Sequence, residues 1–151
     1  LALVRVDGND TEYLGNAGRL RTIACWSSAP YDTFDCPQTL DGVRLDGPVA
    51  FFHGDRLFVV ARRHLLEREM RKRTALYEIA GTLEGGPLTI LDHGNFPSAG
   101  DTAYAGVADI DADHVAVTWY SSDLALDEPW VRAIFGATDL RAATIDFTQI
   151  P

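Results

Sequence analysis

PSAGDTAYAGVADIDADHVAVTWYSS, Pro97 to Ser122, is the stretch whose reading decides the fold. A Gly-containing turn holding Asp101 and Tyr104 leads into an apolar run. A tight Asp-rich turn follows, then a second apolar run ending in Tyr120-Ser121-Ser122. Two strand-length apolar runs around a short polar turn predict a β-hairpin. The hairpin has an earlier copy. Shifted back by 58 residues it falls on Gly47 to His64, with Val107 on Val49, Asp113 on Asp55, Val115 on Leu57 and Val117 on Val59. The same shift carries Arg132–Gly136 onto Thr74–Glu78. Internal repetition on this scale marks a solenoid, a propeller or an array. Several short strands joined by turns are the content of a four-stranded antiparallel propeller blade.

Working outward, the second unit begins at Asp46-Gly47-Pro48. Its strands are expected at Val49–Phe52, Leu57–Ala61, Thr74–Ala80 and Pro87–Leu91, with His53–Arg56 as a hairpin turn. The first two are almost wholly apolar, as in strands buried on both faces. Arg62 to Arg73 is highly charged and lacks Gly and Pro, so it reads as about three helical turns or as a long ordered hairpin. Glu67 with Arg71 and Glu69 with Arg73 have i, i+4 spacing. The third unit repeats the plan, with strands at Tyr104–Ile110, His114–Tyr120, Trp130–Phe135 and Thr144–Thr148. In the first third, strands are expected at Leu1–Val6, Thr22–Trp26 and Gln38–Leu45, the outer part of a unit whose inner strands precede Leu1. The reading is therefore one all-β domain over residues 1–151, the C-terminal part of a larger β-propeller. It divides into a partial blade at 1–45 and blades at 46–96 and 97–151; two open blades alone would expose long apolar edges, so further blades are expected.

The net charge of -9 argues against nucleic acid as a partner, since phosphate contacts need a local excess of Lys and Arg. Six of the 13 basic residues lie between Arg62 and Arg73; that run reads as a solvated, salt-bridged tip or as a contact for an anionic partner. Nothing approaches the roughly 18 apolar residues of a membrane span, so no membrane contact is expected. Cys25 and Cys36 either close a small disulfide loop worth about 3 kcal/mol in an exported protein or remain two thiols in a cytosolic one. Asn9-Asp10-Thr11 fits a glycosylation acceptor. No cofactor and no metal site is expected. Asp109, Asp111 and Asp113 alternate like a calcium loop, but His114 and Tyr120 stand where an EF-hand needs Gly and Glu.

GPVAFFHGDRLFVVAR (Gly47 to Arg62), GGPLTILDHGNFPSAGDTAYAG (Gly85 to Gly106) and VAVTWYSSD (Val115 to Asp123) together resemble the C-terminal half of bacterial sialidase-like propeller proteins. LALVRVDGND and APYDTFDCPQTL are similar to the preceding blade of that group, with an insertion around residues 16–27. The Gly-Asp-Thr-x-Tyr turn is the most specific element. The chain departs from the pattern at Val49, where the family has Asn, and at Ser98-Ala99-Gly100-Asp101. It has no Asp-box. The resemblance implies a six-bladed propeller with an axial pocket and an exo-glycosidase acting on a terminal, acidic sugar. It places Tyr104 at the late-blade tyrosine and Arg62 at an arginine ending an inner hairpin; the first arginine and the acid/base Asp would lie upstream. A secreted or periplasmic location is favoured over the cytoplasm.

Tyr104 with Asp101 is the candidate catalytic pair. A phenol loses its proton near pH 10, so a carboxylate acting as base would activate it. A tyrosine nucleophile suits a substrate that already carries a carboxylate. The competing reading is a turn in which Asp101 caps amides and Tyr104 packs. Arg62 is the candidate substrate-binding residue, since guanidinium binds carboxylate bidentately. Arg63, its neighbour on a strand, faces the other way. His53 and His93 read as turn residues. Trp26, Tyr31 and Phe34 are either a sugar-stacking platform or the cover of a blade edge. The alternative function is a non-catalytic propeller module binding glycan or protein.

Overall fold

The computed structural model describes residues 1–5, 21–65 and 70–151. Asn9, Glu67 and Glu69, and the assignments resting on them, lie outside that set. The described chain forms three antiparallel sheets. The first contains β1 (Ala2–Arg5), β2 (Arg21–Trp26) and β3 (Asp35–Asp41). The middle sheet contains β4 (Asp46–His53), β5 (Arg56–Leu65), β6 (Arg71–Gly81) and β7 (Leu88–Asn95). The third contains β8 (Thr102–Asp109), β9 (His114–Ser122) and β10 (Thr138–Asp146), with a short helix α1 (Trp130–Ala133) between β9 and β10 and a 3₁₀ turn at Phe147–Gln149. Each sheet pairs its strands in chain order. The sheets do not close on themselves. No helix among the described residues is long and apolar enough to cross a membrane.

The three sheets stack face to face because β5 is apolar on both faces. Its odd residues, Leu57, Val59 and Ala61, join Ala24, Leu40 and Leu45 of the first sheet and its β3–β4 connection in one core. Its even residues, Phe58 and Val60, join Val115, Val117, Trp119 and Phe147 in a second core. Alternation of side chains across a strand makes one strand serve both. β4 lies beside β8, and β3 beside β7. Cys25 and Cys36 form a disulfide that ties the end of β2 to the start of β3.

The repeat holds along β5 and β9 at 58 residues, but not along their partners. Asp46 pairs with Arg62 and Val49 with Val60; Ala103 pairs with Tyr120 and Gly106 with Thr118. Val49 therefore corresponds to Gly106, not Val107, because the second hairpin turn is one residue longer. Both hairpins carry a bulge at the same place, between Asp46 and Val49 and between Ala103 and Gly106. The expected strand at Trp130–Phe135 is instead helix α1 and its exit, where Ile134 N–H donates to the Trp130 carbonyl at 3.1 Å. Pro129, immediately before the helix, suits a helix start. The partner of β9 is displaced along the chain: Ile145 faces Val115 where Ile79 faces Leu57. The expected strand at Thr144–Thr148 is the end of β10 and the 3₁₀ turn, capped where Asp146 accepts from Thr148 N–H at 2.9 Å. The outer strand of the first sheet lies at Asp35–Asp41 rather than Gln38–Leu45. Arg62–Arg73 is a hairpin in its described part, with Arg63 facing Arg73 and His64 facing Lys72.

Candidate functional site

Antiparallel order brings the starts of β4, β6 and β8 to the same end of the stack as the ends of β5 and β9. The turn before β8 is built by its own polar residues. Asp101 N–H donates to Ser122 Oγ at 3.0 Å, and Ser122 N–H donates to the Asp101 carbonyl at 2.9 Å. Ala99 N–H donates to Ser121 Oγ at 2.9 Å, and Thr74 N–H to Ser98 Oγ at 2.8 Å. Gly100 has φ +56, and a Cβ there would lie 2.6 Å from the Cβ of Ala133, so a glycine is what lets α1 close on the turn.

Asp101 is the hub. Its Oδ1 accepts from Trp130 Nε1 at 2.9 Å and Arg62 Nη1 at 3.4 Å, and its Oδ2 accepts from the Tyr120 hydroxyl at 3.2 Å. Burial, reinforced by the Asp101 charge, pushes Tyr120 up to about 12, so Tyr120 stays protonated at neutral pH and acts as a donor. Behind Asp101 stands a second carboxylate, Asp46, only 1% exposed. It accepts from Arg44 Nε at 2.7 Å and binds His64 Nε2 at 2.6 Å, and Arg62 Nε lies 3.6 Å away. Burial alone would raise its pKa; the bonds and charges of His64 and Arg44 outweigh that and hold it below the usual carboxylate range. His64 Nδ1 in turn lies 2.5 Å from Lys72 Nζ. Burial pushes His64 down, and burial together with the charge of Arg62 pushes Lys72 down to about 7. Lys72 sits 5.2 Å from the centre of the Trp130 ring. Asp46, His64, Lys72, Trp130, Asp101 and Tyr120 thus form one continuous chain of contacts.

Tyr104 is brought to this cluster but is not bonded to Asp101. It occupies the left-handed bulge position of β8, φ +49, and is 72% exposed. Its ring lies 6.1 Å from that of Tyr120 and against Gly47, where a Cβ would meet two ring carbons at 3.3 Å. Gly47 holds the same bulge position in β4, φ +53. A glycine accepts that conformation freely; a tyrosine there costs about 1–2 kcal/mol.

Arg63 turns to the other face of the sheet. Its Nε donates to the Tyr77 hydroxyl at 2.9 Å, and it pairs with Asp92 beside a cavity of about 260 Å³ that Arg44 and His64 also line. His53 stacks on Phe147 at 3.8 Å, and His93 lies 3.0 Å from Glu78, which also accepts two bonds from Arg56. Asp111 closes its own turn, accepting from Asp113 and His114 amides at 2.9 Å. No group of three or more metal-ligating side chains occurs among the described residues. Trp26 donates to the Leu83 carbonyl at 2.6 Å and packs on the first core, whereas Tyr31 and Phe34 are exposed at the far end of the stack.

Sequence reasoning missed Tyr120, Trp130, Asp46, His64 and Lys72. Asp46 was findable as the acid heading an apolar strand opposite Arg62. Trp130 was not, because a strand there would have pointed it elsewhere. No family model, no curated protein and no solved structure matches the chain.

Proposed function

We propose that this chain belongs to a sialidase-like β-propeller and carries a glycan-acting exo-glycosidase site at the strand ends around Tyr104, Asp101 and Arg62. One observation carries the reading. A tyrosine occupies the left-handed bulge position that the preceding hairpin gives to Gly47, with its phenol exposed. Backbone strain of this kind, at a bulge, is typical of functional positions. Three face-to-face sheets with β4 beside β8 support the propeller. The disulfide supports an oxidising, secreted or periplasmic setting. In this reading the substrate is a terminal acidic sugar and Arg62 is the cation for its carboxylate; the Tyr104 hydroxyl gives its proton to solvent as its oxygen bonds to the anomeric carbon, and the glycosidic oxygen leaves as an alcohol with a proton taken from solvent. Water then breaks that bond and releases the sugar.

A second reading, a propeller that binds glycans without cleaving them, is favoured by the fate of Asp101. Its carboxylate is taken by Tyr120, Trp130 and Arg62, and no base in contact with Tyr104 is present among the described residues. The test is turnover of a panel of fluorogenic glycosides, sialosides included, by the protein and its Tyr104→Phe variant. The hydrolase reading expects turnover that falls about 10²- to 10⁴-fold in the variant. Unchanged turnover in the variant removes Tyr104 from the chemistry. A folded protein with no turnover, but with glycan binding lost in Tyr104→Ala, establishes the binding module.

A further inference from the structure

Between β9 and α1 the chain crosses onto the middle sheet as a strap, residues 123–129. Asp127 fastens it. The Asp127 Oδ2 accepts from Arg71 Nη1 and from Arg73 Nη2, each at 2.7 Å. Both arginines stand on β6 at the turn end of the β5–β6 hairpin, opposite Leu65 and Arg63. Asp127 adopts φ +40, a left-handed conformation that aspartate tolerates better than most residues. Pro129 follows with φ -55, so little freedom remains between the clamp and Trp130. Burial would raise the Asp127 carboxyl; the bonds from Arg73 and Arg71 outweigh it and keep the group ionised.

Trp130 is the residue that this clamp places. Its indole N–H meets Asp101 at 2.9 Å, and its ring covers Lys72. α1, one turn long, is too short to hold the indole by itself. We propose that Asp127 is a positioning residue: by tying the strap to Arg71 and Arg73 it holds the Trp130 N–H on Asp101, and so sets the orientation of the carboxylate that Tyr120 and Arg62 share. The inference rests on the site proposed above, but its test needs neither turnover nor a glycan.

The experiment follows the tryptophan indole N–H signals of ¹⁵N-labelled protein. The Trp130 signal is assigned by its disappearance in Trp130→Phe. In Asp127→Asn, hydrogen exchange of the Trp130 indole is expected to be about tenfold faster, as for loss of one net hydrogen bond. The Trp26 indole, bonded to the Leu83 carbonyl at 2.6 Å in another sheet, is the internal control and keeps its rate. An unchanged Trp130 signal in Asp127→Asn overturns the proposal. If both indoles change, the variant has lost its fold, and Arg71→Gln decides. That variant removes one of the two donors and leaves Arg73, and it must accelerate Trp130 alone; no change there overturns the proposal equally. A protein inactive on every glycoside, yet with a Trp130 signal that depends on Asp127, refutes the glycosidase reading and leaves the positioning role intact.

Discussion

The hairpins β4–β5 and β8–β9 share a plan down to the position of their bulges, and they differ in what stands at the open end. In the middle sheet the pair before the bulge is Asp46 with Arg62, and the bulge residue is Gly47. In the third sheet the pair is Ala103 with Tyr120, and the bulge residue is Tyr104. One copy ends in charge, the other in aromatic rings, and they meet where Asp101 receives both Arg62 and Tyr120. Repetition supplies the scaffold; the departures from it supply the candidate site. The hairpins differ again along their length. β5 is buried on both faces between two sheets, whereas β9 buries Val115, Val117 and Trp119 and leaves Ala116, Thr118 and Tyr120 half-exposed.

The sharpest way to break this comparison is to make β5 like β9. Phe58 corresponds to Ala116 and packs 4.8 Å from the Phe147 ring. Phe58→Ala is expected to cost about 3–5 kcal/mol, as for a fully buried aromatic, read from urea midpoints. A cost below about 1 kcal/mol would show that the second core does not depend on β5.

The charged end of the middle sheet predicts a pH signature. Lys72 is lowered from 10.5 to about 7 by burial and by Arg62. Between those values the unfolded chain holds a proton that the folded chain has released. Stability from this group therefore rises with pH across that window, by up to about 1.4 kcal/mol per unit, and is flat below it. Lys72→Met is expected to remove that rise and to be more stable than the parent at neutral pH. Parallel slopes for both proteins from pH 7 to 10 would mean that Lys72 stays charged in the fold.

The smallest effects test the bulge itself. Gly47→Ala forces a Cβ into the left-handed region and against the Tyr104 ring, and is expected to cost about 1–2 kcal/mol. Tyr104→Gly relieves the matching strain in β8 and loses an exposed ring, so its melting temperature should move little, by the equivalent of about 1 kcal/mol or less. Equal, large losses in both variants would show that Tyr104 is held for packing rather than for what its phenol meets.

Much of this was readable in the chain. The unbroken apolar run Leu57–Ala61 reads as burial on both faces, and β5 is so buried; the same reading of Val49–Phe52 fails, because β4 has one covered face and Phe52 is 59% exposed. The repeat located both hairpins, and Arg62, Asp101 and Tyr104 do lie at one end of the stack. The misreadings have a common cause. Trp130–Phe135 looks like a strand by comparison with Thr74–Glu78, but the residues after Pro129 close a helical turn against Gly100. A one-residue difference in turn length moved Gly106, not Val107, onto Val49. Pattern matching carries no count of inserted residues until the partner strand is known.

The sequence by itself determined an all-β chain, the turns of its two repeated hairpins and the double burial of β5, because apolar runs and the polar turns between them are local features. Only the tertiary structure decided that Asp101 serves Tyr120, Arg62 and Trp130 rather than Tyr104, that Asp46, His64 and Lys72 lie behind it, and that Asp127 reaches Arg71 and Arg73. Those partners are 18 to 56 residues apart along every one of these links except His64 to Lys72, which spans 8. What brings them together is the stacking of sheets through β5, a consequence of packing that no local period encodes.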